Sequence, residues 1–178
     1  KDNPKELSVD ISTWRDIAEE DCRAMLCERG GERVWQRGYR NSKRKHRQDS
    51  GANFTPFHQN ELSRRGTEQI NVDTISAEEF PWATMVKGGE NAVLFPATED
   101  QQTQQGSSVS ASYKASNVDY GEWFRITMNP PEARGRYCAA LHQNPPDRRV
   151  CDEDPEQELF GTKGVRLSHW AWVLVKAG

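Results

Sequence analysis

One segment near the middle of the chain strongly limits the local fold. It holds, in order, two carboxylates (Glu78 and Glu79), an aromatic–proline–aromatic corner, the turn Gly88–Gly89, the apolar run Ala92–Phe95 and an acid–amide cluster that begins near Asp100. A short apolar run bounded by Gly and Pro predicts a strand, and the polar run that follows predicts a helix. The segment therefore predicts strand, turn, strand and helix, an order that brings its two polar clusters toward one site.

The rest of the chain gives weaker local signals. Apolar residues at helical spacing predict a helix from Thr13 to Cys27, begun by a capping box of Thr13 and Asp16. The segment Arg33–Gly66 is polar and predicts loop with at most a short helix. Further strands are predicted around three segments: Ile70–Ile75, Trp123–Met128 and Trp170–Val175.

Length and composition favour one domain with a lean core. The chain has 178 residues, of which 34% are hydrophobic, and its six Trp, six Phe and four Tyr compensate through the large area that each ring buries. We expect a single α+β domain over 1–178, with a small, mainly antiparallel sheet and flanking helices. Its parts are a core at about 70–128, an N-terminal helix and basic arm at 12–66, and a C-terminal extension at 130–178.

Four cysteines and a glycosylation sequon, Asn53-Phe54-Thr55, favour a secreted, oxidised glycoprotein. No apolar stretch approaches the length of a membrane span, and no signal-peptide pattern stands at Lys1, so we expect a processed mature protein or an excised domain. Cys22 and Cys27 lie five residues apart on the predicted helix and point away from each other. Of the three possible pairings we favour one that joins Cys138 to Cys151 across a Pro-rich loop.

The charge is distributed unevenly, although the net charge is only −3. Between Arg33 and Arg47 lie seven cations and no acid, interleaved with Trp35 and Tyr39. One interpretation is a solvated surface; the other is a nucleic-acid-binding arm. The residues assigned to phosphate contacts under the second are Arg40, Lys43, Arg44 and Arg47.

The carboxylates of the central segment suit a divalent cation, because magnesium prefers carboxylate and amide oxygens. The alternative is that Glu78 and Glu79 occupy an ordinary surface turn. The motif Cys151–Pro155 also contains three acids and is interpreted as an acidic loop, with a weak calcium site as the alternative. His58, in the loop before the acidic pair, is a candidate base or an ordinary surface residue.

In its order of motifs the chain resembles the NucA/NucB-type secreted deoxyribonucleases. The motifs are Glu-Glu-Phe-Pro-Trp-Ala-Thr, Gly-Gly, an apolar strand, an acid–amide cluster, Gln-Gly and then Trp-Phe-Arg-Ile, and they cover about 76–128. The resemblance implies a secreted, magnesium- or manganese-dependent endonuclease with a compact ββα-metal-like site. It implies a DNA substrate, with RNA as an alternative. We further expect a monomer without membrane contact, and a protein inhibitor as a further partner.

Carried over residue by residue, the resemblance places Glu78 at the family's catalytic Asp and Glu79 at the Glu that follows. Asp100 falls at the acid of the second cluster, while Gln101 and Gln102 fall where the family has Asn and Arg. The predicted catalytic residues are thus Glu78, Glu79 and His58, and the predicted metal ligands are Glu79, Asp100 and Gln101.

The substitutions keep other functions open. Glu78 is one methylene longer than Asp, Gln101 is longer than Asn, and Gln102 lacks the guanidinium that binds phosphate. A relative that has lost catalysis and binds nucleic acid or protein, as a secreted binding protein or toxin, is therefore the alternative. A third hypothesis, an adhesion or sugar-binding module, rests only on the Trp content.

Overall fold

The computed structural model describes residues 1–64, 73–90 and 92–152, together with the backbone of 166–167. Its helices are α1 (Arg15–Arg23), α2 (Ser42–Asp49), α3 (Gln59–Arg64), α4 (Glu99–Ala115), α5 (Arg136–Leu141) and α6 (Arg149–Asp152). Its strands are β1 (Lys5–Asp10), β2 (Val34–Gln36), β3 (Ser76–Phe80), β4 (Val93–Ala97), β5 (Trp123–Asn129) and β6 (Arg166–Leu167). No helix among these residues is long and apolar enough to cross a membrane.

The strands form two small sheets. In the first, β5 is central, parallel to β1 and antiparallel to β2; in the second, β4 is central, antiparallel to β3 and parallel to β6. Each sheet thus combines one antiparallel and one parallel pair. Two small sheets with flanking helices and two disulfides confirm the α+β, disulfide-containing fold class.

The predicted strand–turn–strand–helix segment is present as β3, β4 and α4. β3 pairs with β4 so that Glu78 lies opposite Phe95 and Glu79 opposite Leu94. α4 begins at Glu99, where the hydroxyl of Thr98 accepts a hydrogen bond from the backbone N–H of Gln101 at 3.2 Å. This is the ββα unit that the sequence predicts.

The main core lies between the first sheet and helices α1, α4 and α5. Along β5 every second residue is buried, so that Phe124, Ile126 and Met128 face the core. A smaller cluster on the other side of β3 and β4 contains Ala77 and Leu94. Side chains of both faces of β3 are therefore buried.

The predicted helix from Thr13 to Cys27 is α1 followed by a π-helical turn, Ala24–Glu28. The predicted capping box is wrong, since no side chain of the N-cap residue makes a capping hydrogen bond. The side-chain oxygen of Gln101 on α4 instead accepts hydrogen bonds from the backbone N–H groups of Asp16 (3.1 Å) and Ile17 (3.4 Å). A cap supplied from another helix leaves no signal in the local sequence.

Other boundary predictions have mixed outcomes. The strand Trp123–Met128 is confirmed as β5. The loop prediction for Arg33–Gly66 underestimates its order, because β2, α2 and α3 lie there. The strand predicted around Ile70–Ile75 lies partly outside the described residues, and β3 begins only at Ser76. The predicted strand Trp170–Val175 and most of the acidic loop after Cys151 also lie outside the described residues.

Both disulfides join the first helical segment to the C-terminal helices. They link Cys22 with Cys138 and Cys27 with Cys151, across 116 and 124 residues of sequence. The exclusion of a Cys22–Cys27 bond is confirmed, but the favoured Cys138–Cys151 bond is wrong. α1 packs directly on α5, so that each cysteine finds a partner far away in sequence.

A carboxylate reinforces the same contact. Glu19 on α1 accepts hydrogen bonds from the first backbone N–H groups of α5, at Tyr137 (2.8 Å) and Cys138 (3.1 Å). A Cβ atom on Gly135 would lie only 2.6 Å from the Glu19 carboxyl carbon, so any larger residue there would displace this carboxylate. α1 therefore fixes α5 by one covalent bond and by two capping hydrogen bonds.

Replacing Cys22 and Cys138 together by alanine should lower the free energy of unfolding by about 3 kcal/mol, because with Cys27–Cys151 intact the bond closes a loop made of the segments 22–27 and 138–151 in the unfolded chain. Urea denaturation of the variant and the wild type measures the difference. Peptide mapping without reductant should recover Cys22 linked to Cys138. A peptide that links Cys138 to Cys151 would contradict the structure.

Candidate active site

A cavity of about 470 Å³ opens along β3, between α2 and α4. β3 is an edge strand among the described residues, so that side chains from both of its faces reach this cavity. Glu78 and Glu79 both line it, although neighbouring residues of a strand point to opposite sides. Two buried carboxylates are thus brought to one concave site.

Glu78 is held by two amides of α4. Gln102 Nε2 donates to Glu78 Oε2 at 2.9 Å, and Gln105 Nε2 donates to Glu78 Oε1 at 2.8 Å. The two glutamines lie three residues apart and so share one helix face. Gln102 Nε2 also donates to the backbone oxygen of Ala77 at 2.7 Å, which fixes the orientation of its amide.

Burial raises the pKa of Glu78 from 4.5 to about 7. The amides of Gln102 and Gln105 lower it, because they donate to the charged form, whereas the neighbouring Glu79 raises it. Glu78 therefore changes its protonation state near neutral pH. A carboxylate with such a pKa is suited to accept a proton from a reacting group.

Glu79 has a different environment on the other face of β3. Its Oε2 accepts a hydrogen bond from the Ser50 hydroxyl, and its Oε1 lies 3.8 Å from Arg47 Nη1. Burial raises the pKa of Glu79, while Ser50 and Arg47 lower it. Oε1 is buried and has no hydrogen-bond partner among the described residues, so its lone pairs can accept a water molecule or a cation in addition to the charge of Arg47.

A third carboxylate, Asp21 on α1, lies behind Glu78. Trp82 Nε1 donates to Asp21 Oδ2 at 2.8 Å, which ties the corner after β3 to α1. Burial and the charge of Glu78 raise the pKa of Asp21 well above its ordinary value. Because the two carboxyl groups repel each other when charged, a proton on Asp21 favours the ionised form of Glu78.

Cations line the opposite wall of the cavity. Lys43 and Arg47 are four residues apart on α2 and therefore share the helix face that meets the cavity, and Arg40 precedes that helix. Arg44 is exposed on α2 and is not among the lining residues. Three of the four predicted phosphate-binding residues thus lie beside the two carboxylates.

Three predicted site residues lie elsewhere. Gln101 binds α1, through the backbone contacts described above and through Nε2, which donates to Asp16 Oδ2 at 2.8 Å. Asp100 is exposed in the first turn of α4, and His58 is exposed just before α3; neither lines the cavity. Their predicted roles as ligands and base remain untested predictions.

The donors beside the cavity fit a divalent cation that keeps most of its water. No group of three or more His, Cys, Asp or Glu side chains within the described ranges is arranged to enclose a metal. Magnesium in phosphate-transfer sites is held by one or two carboxylates together with water and substrate oxygens. The buried Glu79 Oε1 supplies one such donor, and Glu78 lies next to it in sequence.

Sequence reasoning did not identify the residues that contact Glu78 and Glu79 from distant parts of the chain. Ser50, Asp21 and Gln105 act through contacts over 29, 57 and 27 residues of sequence, respectively. The only available signal was the pair Gln102 and Gln105 at helical spacing, opposite a predicted strand that carries two acids. Asp21 and Ser50 had no local signal.

A family model described as Deoxyribonuclease NucA/NucB matches residues 21–127, which is more than half of the chain. The matched range contains every residue that lines the cavity. It confirms the resemblance inferred from the order of motifs. A comparison with curated proteins finds no match.

The raised pKa of Glu78 should make folding stability depend on pH. Between pH 4.5 and about 7 the folded state keeps a proton on Glu78 that the unfolded state releases. The stabilisation that this proton provides is therefore complete below pH 4.5 and is lost as the pH rises through 7. The loss lowers the free energy of unfolding by roughly 3 kcal/mol. Urea unfolding from pH 4.5 to 8 should give a flatter profile for Glu78→Gln than for the wild type.

The matched control is Glu99→Gln, which removes an exposed carboxylate at the start of α4. Its profile should parallel that of the wild type. Parallel profiles for Glu78→Gln and wild type would show that Glu78 does not titrate in this range.

Proposed function

Because the chain belongs to the deoxyribonuclease NucA/NucB family, we propose that it is a divalent-metal-dependent endonuclease that hydrolyses phosphodiester bonds of DNA. The observation that carries the proposal is the shared cavity, in which two buried carboxylates face Arg40, Lys43 and Arg47. A phosphodiester needs cations to bind its charge and a base to activate water, and this cavity offers both.

The cations provide substrate binding without base recognition. Lys43 is exposed and Arg47 is half-buried on one face of α2, and Arg40 is exposed beside them. Side chains of this kind neutralise backbone phosphates and carry no sequence information by themselves. Low sequence preference follows from this arrangement.

Glu78 is the group that we assign as general base. Its pKa of about 7 leaves a substantial ionised fraction at neutral pH, and the amides of Gln102 and Gln105 fix the position of its carboxylate. The side chain is one methylene longer than the Asp of the family motif. The two α4 amides support this longer side chain in a single orientation.

Glu79 would hold the divalent cation through Oε1, with magnesium and manganese as the candidates. The bound cation supplies positive charge that stabilises the phosphoryl oxygens and the leaving oxygen. Ser50 orients the Glu79 carboxylate through its hydrogen bond to Oε2, and Arg47 Nη1 lies 3.8 Å from Oε1.

Two disulfides support the proposal that the protein is secreted, and the exposed Asn53 of the glycosylation sequon supports the proposal that it is glycosylated. Disulfides of this kind persist in oxidising compartments. We further propose that the same enzyme is a monomer, makes no contact with membranes and is inhibited by a protein partner.

One observation favours a second candidate, a relative that binds DNA without cleaving it. Gln102 occupies the position at which the resemblance places an arginine, and its amide is directed inward at Ala77 and Glu78. It therefore offers no cation to a phosphate.

Plasmid cleavage distinguishes the two candidates. The wild type should cleave DNA, tested both as a supercoiled plasmid and as a single strand, with magnesium or manganese, and should lose activity in EDTA. Glu78→Gln and Glu79→Gln should each lower the rate by about a hundredfold or more, because a base or a metal carboxylate is lost. Glu99→Gln should cleave like the wild type.

Folded wild-type protein that binds DNA but cleaves neither the plasmid nor the single strand with either metal would establish the binding-only alternative. Wild-type activity in Glu78→Gln would exclude Glu78 as the base.

The pH profile tests the role of Glu78 separately. Because a base must be ionised, kcat/KM should rise with pH and then level off, with its inflection at or below about 7, since a cation on Glu79 lowers the pKa that burial gives Glu78. Gln105→Leu removes a donor that stabilises the ionised form, so its profile should move to higher pH. Gln104→Leu, which changes the neighbouring amide outside the cavity, should leave the profile in place. An unchanged profile in Gln105→Leu would contradict the assignment.

A further inference from the structure

Two exposed aromatic rings stand at the rim of the cavity. Among the described residues, four large hydrophobic side chains are exposed, and two of them, Tyr39 (67%) and Tyr120 (45%), line the cavity. Single exposed hydrophobic side chains are common on protein surfaces, but exposed apolar groups that lie together at a groove mark ligand-binding sites. Their position beside the carboxylates and cations therefore calls for a functional explanation.

Tyr120 is held in a fixed orientation. The guanidinium carbon of Arg37 lies 4.4 Å from the ring centroid of Tyr120 and 4.4 Å from that of the buried Tyr113, so that Arg37 is stacked between the two rings. Arg37 Nη1 also donates to the backbone oxygen of Val118. One face of Tyr120 is thus covered by Arg37, and the rest of the ring is accessible.

Tyr39 lies beside the same turn. A Cβ atom on Gly121, the residue after Tyr120, would lie 3.6 Å from the Tyr39 hydroxyl oxygen and 3.7 Å from its ring. The backbone on both sides is fixed, since Gly121 N–H donates to Arg37 O at 2.9 Å and Gly38 N–H donates to Thr84 O at 2.7 Å. The two rings therefore lie close together at the rim of the cavity, and hydrogen bonds fix the backbone that carries them.

We propose that Tyr39 and Tyr120 form a stacking surface for unpaired bases, and that the cavity accordingly selects single-stranded nucleic acid. Cations that follow a phosphate backbone, combined with aromatic rings that stack on bases, are the features by which proteins bind single strands. In a duplex the faces of the bases are covered by their neighbours, so these rings have no partner there. The inference rests on the proposed nuclease function and specifies its substrate class.

Binding without metal tests the stacking surface apart from catalysis. Fluorescence anisotropy in EDTA compares a labelled oligothymidine of about 12 nucleotides with a duplex of equal length. Tyr39→Ala should weaken binding of the single strand by roughly 5- to 100-fold and binding of the duplex by less than about twofold. Tyr39→Phe keeps the ring and should bind the single strand like the wild type.

Phe54→Ala is the matched control, because Phe54 is 64% exposed but does not line the cavity. It should change neither affinity. An oligonucleotide with abasic sites should bind the wild type and Tyr39→Ala equally well, because the base that stacks is absent.

Equal losses for single strand and duplex in Tyr39→Ala, or no loss for either, would overturn the stacking surface. A loss that persists with the abasic strand would overturn it as well. Single-strand binding that depends on Tyr39 in a protein that cleaves nothing would refute the nuclease proposal and leave the stacking surface intact. Plasmid cleavage with no effect of Tyr39→Ala on single-strand binding would do the reverse.

Discussion

The burial of two adjacent carboxylates on β3 is the constraint on which this site depends. A buried carboxylate is costly unless it is hydrogen-bonded or neutralised. Glu78 meets this requirement through α4, from which Gln102 and Gln105 donate to it, and Glu79 meets it through Ser50 at the end of α2. The hydrogen bonds of the two carboxylates therefore depend on the positions of α2 and α4 relative to β3. The cavity lies where these two sets of contacts meet.

Contacts made by three residues of helix α1 link this site to the rest of the chain. Glu19 caps α5, Asp21 accepts a hydrogen bond from Trp82, and Cys22 is bonded to Cys138. Asp21, whose pKa the charge of Glu78 raises, is thus on the helix that the disulfide fixes. With only 34% hydrophobic residues in the chain, such covalent and polar contacts supplement a lean core.

The sequence predicts those parts of the molecule whose causes are local. The ββα unit follows from an apolar run, a Gly-Gly turn and a polar helix, all within one segment, and β5 follows from its alternation. The cap on α1, the partners of Cys22 and Cys27 and the contacts of Asp21 depend on elements distant in sequence, and no local pattern encodes them. Gln101 illustrates the difference, since its place in the motif suggests a ligand, whereas its amide binds the start of α1.

The departures of this chain from the family motif are physically coupled. An arginine at position 102 would lie next to Glu78 and, by charge attraction, would lower the pKa of that carboxyl. The neutral Gln102 keeps the hydrogen bond but not the charge, so that burial dominates and the pKa rises to about 7. The longer Glu78 side chain and the two amides thus form one consistent set. In it, Gln102 stands where the resemblance implies a cation, and the carboxylate beside it is better suited to accept a proton near neutral pH. In the proposed function, the phosphate contacts are assigned to the cations of α2 that line the cavity.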